Sequence, residues 1–242
     1  MAAEETAKIQ SMNLKLYTAQ GTPFPPVGHY RKSKKQQDLQ TLDDFRLIED
    51  TLKRQLKAGD VVLLSMRLPY HFGGTYYERP ASDFMFPRRD GSIGSQEEYF
   101  DEWISSVKDL ADLARDRGAM LIIQTPTPEW KKEKTKQCSN PDLQWFNSLQ
   151  KSTCYIESSF FNNQSKGIYK HLFQKIYKLS KSRRNIRLLD TYSIACSEKI
   201  CKFHDGKEDI YRDDDHLSYQ WAKALLSPEI SKLIELREKQ MH

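Results

Sequence analysis

Val61-Val62-Leu63-Leu64-Ser65 is the stretch that decides the fold. Four apolar residues in a row, with Gly59-Asp60 before them and a serine after, show no alternation of polar and apolar. That is the pattern of a short strand covered on both faces, as in a parallel sheet. Met120-Leu121-Ile122-Ile123-Gln124 repeats it, and Ile186-Arg187-Leu188-Leu189 supplies a third run. Helix-period segments lie between and around these runs. Thr41 and Asp44 have the spacing of a capping box ahead of Phe45, Ile48, Leu52 and Leu56, and Gly59 provides a stop. Ser95 and Glu98 cap a second helix with Phe100, Trp103, Ile104, Val107, Leu110, Leu113 and Ala114 on one face, closed by Gly118. Ile168, Leu172, Ile176 and Leu179 mark a third, and Ala222, Leu225, Ile230, Leu233 and Ile234 a last one. Near the N-terminus, a helical turn or two leads into residues 14–19 (LKLYTA), which read as a further strand. Strands alternating with helices predict an α/β fold with a doubly wound parallel sheet, a flavodoxin-like three-layer sandwich. Functional residues then gather at the carboxyl ends of the strands. With no internal repeat and no long linker, residues 1–242 read as a single domain.

Composition narrows the function classes. The chain carries 38 Lys plus Arg against 33 Asp plus Glu, a net charge of +5. Its basic clusters (31–35, 131–136 and 181–184) sit between apolar-periodic segments, with neither interleaved aromatic platforms nor a reading motif. They therefore read as solvated loops and helix ends, and no nucleic-acid partner is expected. No run of about 18 apolar residues exists to cross a bilayer. The N-terminal MAAEETAKIQ is acidic and polar, unlike a signal peptide.

Four cysteines, Cys138, Cys154, Cys196 and Cys201, lie in or beside loops of the second half. An even number suggests two bridges. The close Cys196–Cys201 spacing suits a tight loop, which leaves Cys138 with Cys154. Zinc ligation and four reduced thiols are the competing accounts, although no Cys-x-x-Cys pair or nearby His spacing supports a metal. Two bridges imply an oxidising compartment.

The sharpest chemical signal is Tyr211-Arg212-Asp213-Asp214-Asp215-His216-Leu217-Ser218. A loop delivering a helix can hold Asp213 and His216 on one side. The carboxylate then orients the imidazole and leaves its second nitrogen as a general base. A solvated acidic turn, or a metal site using Asp213, Asp214 and Asp215, are the other readings of the same residues.

The Asp213-x-x-His216-Leu217-Ser218 block, followed by an amphipathic helix, resembles the last block of SGNH-type esterases and acyltransferases. Within them the chain is most similar to the extracytoplasmic SGNH domain fused to acyltransferase-three membrane proteins. The resemblance runs through Val61 to Arg67, the capped helix with Trp103, the strand leading to Thr125-Pro126-Thr127-Pro128-Glu129, the cysteine insertions and the Asp–His block. It implies an SGNH-type sheet and O-acyl transfer, commonly acetyl, to a cell-envelope polysaccharide, or hydrolysis of such esters. Asp213 and His216 are then catalytic, and Ser65 and Arg67 serve the oxyanion or the substrate. The implied partners are a glycan acceptor, an acyl donor and an upstream membrane acyltransferase segment; the implied place is the periplasmic side of the membrane. No metal or organic cofactor is needed.

This chain departs from the pattern in two places. Trp221 and Ala222 stand where family members usually have a Gly. The family's nucleophile is the Ser of a Gly-Asp-Ser block ending the first strand, and no such triplet occurs here; Asp90-Gly91-Ser92 has the wrong order. The resemblance thus implies that the first strand and its serine lie upstream of Met1. A relative without a nucleophile, binding glycan or a partner without catalysis, is the contrasting expectation. His29 and His71 are weaker candidates for lining a cleft. Trp103, Trp130 and Trp145 are candidates for stacking on sugar rings, with Trp103 better suited to the core.

Overall fold

In chain order, the elements are α1 (Ala2–Ile9), α2 (Lys35–Gln55), β1 (Val61–Leu64), α3 (Leu68–Phe72), β2 (Phe86–Pro87), β3 (Ile93–Gly94), α4 (Gln96–Asp116) and β4 (Met120–Gln124). Then follow β5 (Tyr155–Glu157), α5 (Ile168–Ser182), β6 (Ile186–Leu189), α6 (Thr191–Ala195), β7 (Ile200–Lys202), α7 (Tyr219–Trp221), a π-helical turn (Ala222–Leu226) and α8 (Ser227–Met241). The computed structural model describes residues 2–17, 24–25, 27, 35–72, 86–87, 92–130, 135, 138, 154–157, 168–197, 199–203, 209–213 and 216–241. Side chains at 35–44, 69–70, 86–87, 168–171 and 237–241 are outside that description.

The three predicted strands form one sheet in the order β1-β4-β6. β1 and β4 are parallel, with Val61 opposite Met120 and Leu64 opposite Ile123. On the other side of β4, the Leu121 N–H donates to the Asn185 carbonyl and the Thr125 N–H to that of Leu189, both at 2.9 Å. Partners that advance together by four residues make this pairing parallel too. Met120 through Ile123 are all buried, so both faces of β4 are covered; that is why the run shows no alternation. The architecture is the α/β fold with a parallel sheet that the sequence predicts.

The chain divides into two compact units, neither of them a continuous stretch. One comprises Leu16–Gln124 and Gly167–Leu188. Its core joins Leu64, Phe72, Phe100, Trp103, Leu121 and Ile176 with their neighbours. α4 starts where expected: the Ser95 hydroxyl accepts from the Glu98 N–H at 3.1 Å, and the Glu98 carboxylate accepts from the Ser95 N–H at 2.9 Å. It ends at Gly118, whose φ of +66° a side chain rarely adopts and where a Cβ would meet the Ala58 Cβ at 3.0 Å. α2, by contrast, begins at Lys35 rather than beside Thr41. The Lys-Gln-Gln-Asp-Leu-Gln segment ahead of Thr41 contains good helix formers, so the helix extends upstream and Thr41 falls inside it.

The other unit comprises Met1–Lys15, Thr125–Lys166 and Leu189–His242. Here α1 packs on the π-helical turn and α8, with the Thr6 hydroxyl 3.1 Å from that of Ser227 and Glu5 paired to Lys223 at 3.3 Å. Its core is aromatic: the Trp130 ring stands edge-on to Phe203 at 5.2 Å and lies 5.6 Å from Tyr211. Cys138 is bonded to Cys154 and Cys196 to Cys201. The strands β5 and β7 pair antiparallel, with Ile156 opposite Cys201.

Two expectations are corrected. Residues 14–17 are not a strand, and Leu14, Leu16 and Tyr17 are exposed. A strand needs a hydrogen-bonded neighbour, and no ladder among the described residues takes this segment; residues 18 and 19 lie outside the description. In the last helix the buried apolar positions are Ala222, Leu226, Ile230 and Ile234, while Leu225 is exposed. The π-helical turn at Ala222–Leu226 lengthens the repeat from four residues to five, and so rotates the apolar face away from Leu225.

Candidate functional site

Residues 210–213 and 216–218 stand on buried feet. The Ile210 N–H donates to the Phe203 carbonyl, the Arg212 N–H to that of His216, and the Ser218 N–H to that of Ile210, each at 2.8 Å. Tyr211 and Leu217 form an antiparallel bridge across the base. Tyr211 and Trp221 are buried in the aromatic core, whereas the tip is charged; the sequence places apolar anchors at the ends and polar groups between them. Ser218 then caps α7, its hydroxyl accepting from the Trp221 N–H at 3.2 Å.

At the tip, Asp213 and His216 come together. Asp213 Oδ1 accepts from the His216 backbone N–H at 2.8 Å and lies 2.8 Å from His216 Nδ1. An ionised carboxylate only accepts, so this contact suits a ring that carries its hydrogen on Nδ1. The backbone bond comes from the three-residue spacing, which folds the carboxylate over the turn as Asp side chains favour. Asp213 Oδ2 accepts from Nε and Nη2 of Arg212, both at 3.2 Å. The His216 side chain is 60% exposed and that of Asp213 38%, so the couple is open to a substrate from solvent. Arg212 was not among the residues singled out from the sequence; its position immediately before the key aspartate was the available signal.

Beneath the tip, burial raises the pKa of the Tyr211 hydroxyl far above the ordinary tyrosine value, with the charges of Glu129 and Tyr192 acting in the same direction. Burial, with the Asp190 charge, also raises that of Tyr192. Tyr211 is therefore a neutral structural anchor at any working pH.

Ser65 and Arg67 follow β1 in the other unit. Ser65 is exposed and donates its hydroxyl to Gln124 Oε1 at 2.7 Å; Arg67 is half-buried. Trp103 and Trp130 are both buried in cores, which removes them as exposed sugar-stacking surfaces. His71 is half-buried. His29, Trp145, Asp90, Asp214 and Asp215 lie outside the described residues. Among the described residues, no group of three or more His, Cys, Asp or Glu side chains is placed to hold a metal ion, and no helix is long and apolar enough to cross a membrane.

The model of the SGNH domain (fused to AT3 domains) matches residues 2–230. The chain belongs to this family. As an SGNH domain it shares its fold with the lipopolysaccharide acetyltransferase periplasmic domain of Salmonella ser. Paratyphi A, at a TM-score of 0.55 and 15% identity over 96% of this chain and 77% of that one. At that identity the likeness concerns the fold. A search of curated proteins finds no match to this SGNH domain. Both cysteine pairs of the SGNH domain are bonded as their spacing suggests.

Proposed function

We propose that this SGNH domain takes part in O-acyl transfer, chiefly of acetyl groups, to a hydroxyl of a cell-envelope polysaccharide, or in the hydrolysis of such esters. The carrying observation is the Asp213–His216 couple, with Nδ1 held by the carboxylate on an exposed loop tip. In this reading His216 Nε2 takes the proton of a serine hydroxyl as that oxygen attacks the acyl carbonyl. It returns the proton to the leaving oxygen when the tetrahedral intermediate collapses. The acyl-serine then passes its group to the sugar hydroxyl by the same proton route. Asp213 stays ionised and stabilises the imidazolium formed midway.

The nucleophile is assigned to a Gly-Asp-Ser serine not contained in these 242 residues, because no such triplet occurs in them. Ser65 and Arg67 are assigned to the oxyanion or the substrate on their chemistry: a guanidinium is a strong donor to developing negative charge. The acyl donor would come through a membrane-embedded AT3 partner, in keeping with the family's fusion. The two disulfides fit an oxidising, periplasmic setting.

The test is the O-acetyl content of surface polysaccharide, read by proton NMR, in cells carrying the full reading frame with His216→Ala. Loss of the ester signal is expected, with or without added chelator. An unchanged signal in a stably expressed variant would overturn the proposal.

A further inference from the structure

We infer that Gln124 is a substrate-binding residue, forming with Ser65 a donor–acceptor pair for two adjacent hydroxyls of a sugar. This rests on the acyl-transfer reading above, and it places Ser65 on the substrate rather than the oxyanion. β1 and β4 run parallel with Leu64 opposite Ile123, so the next residue of each, Ser65 and Gln124, leaves the sheet beside the other. Both stand at the carboxyl ends of strands, where parallel sheets carry their binding groups. Ser65 is exposed and Gln124 half-buried, so the pair is open to a ligand.

The hydrogen bond between them fixes what each presents. The Ser65 hydroxyl donates to Gln124 Oε1 at 2.7 Å. Neither side chain makes another hydrogen bond among the described residues. A serine hydroxyl has a single hydrogen and two lone pairs; with the hydrogen spent on Gln124, Ser65 offers a ligand an acceptor. The Gln124 amide, its oxygen turned to Ser65, offers the donors of Nε2. An oxyanion needs donors around it, so a serine presenting lone pairs does not suit one. Sugar hydroxyls both donate and accept. One can take a hydrogen from Gln124 Nε2 while its neighbour gives one to Ser65 Oγ, a match that neither an anion nor an apolar acyl chain provides.

The experiment is isothermal titration calorimetry of the whole chain with the surface polysaccharide of its own cells, freed of O-acetyl groups by mild alkali. Gln124→Leu is expected to weaken binding about tenfold and Ser65→Ala about fivefold. Gln124→Glu should weaken it as much as Gln124→Leu, since a carboxylate still accepts from Ser65 but has no hydrogen to donate. Melting temperatures should stay level. Ser65 is exposed, so Ser65→Ala reads the subsite even where a Gln124 variant proves less stable. Affinity unchanged in all three variants overturns the subsite and leaves the His216 chemistry standing. Weakened binding in them, beside unchanged O-acetylation in His216→Ala, keeps the sugar subsite and removes the acid–base reading. No binding by the unaltered chain overturns the subsite.

Discussion

Asp213 Oδ1 meets His216 twice, at the backbone N–H and at ring Nδ1, both 2.8 Å away. The same oxygen therefore shapes the turn and orients the imidazole, so the local fold and the proposed chemistry depend on one atom. Asp213→Asn separates the two. An amide keeps the shape and can still accept the backbone N–H, but its NH2 group can face the ring and select the wrong tautomer. Acyl transfer is expected to fall about 10³- to 10⁴-fold, with a melting temperature close to that of the parent; kinetics alongside calorimetry checks it.

Trp103 is fully buried, edge-on to Phe72 at 5.3 Å, and donates its indole N–H to the Phe24 carbonyl at 3.4 Å. Trp103→Ala is expected to cost about 3–5 kcal/mol in urea unfolding. Trp103→Phe should cost less, because most of the volume remains. A Trp103 role in glycan stacking would instead show as a raised KM in a variant of unchanged stability.

The two disulfides close loops of different length. The Cys138–Cys154 bridge spans 16 residues and the Cys196–Cys201 bridge 5. By chain entropy these correspond to about 3 and about 2 kcal/mol. Removing the pair 138/154 by double Ala substitution should lower the melting temperature more than removing 196/201, and a thiol reductant should lower that of the parent by more than either. Equal melting curves with and without reductant would contradict this.

Tyr211 supplies a pH dependence of stability with a definite sign. Its folded pKa is raised by burial above the ordinary value, so the folded chain keeps a proton that the unfolded chain releases. The stability it contributes is fully present below about pH 10, the unfolded tyrosine value. As pH rises further that stability declines, at no more than about 1.4 kcal/mol per pH unit for this one group. Thermal melts at stepped pH above that value should show a steeper decline in the parent than in Tyr211→Phe.

Much of the architecture was legible in the chain itself. Val61 to Leu64, Met120 to Ile123 and Ile186 to Leu189 were legible as strands of the parallel sheet, and Met120 to Ile123, buried throughout, shows no alternation because both its faces are covered. Ser95, Glu98 and Gly118 mark the limits of α4 because capping and positive φ are local chemistry. The Asp213–His216 spacing was readable for the same reason: three residues of loop suffice to fold a carboxylate back onto a backbone N–H. What tertiary structure alone decided are features set by distant partners. Residues 14–17 have strand composition but acquire no ladder among the described residues, Leu225 is turned outward by a π-helical turn, and Trp130 is sealed against Phe203 and Tyr211 instead of facing a sugar. Arg212 belongs with these: its charge is plain in the sequence, but the placing of two of its donors on one carboxylate oxygen of Asp213 is seen only in the folded chain.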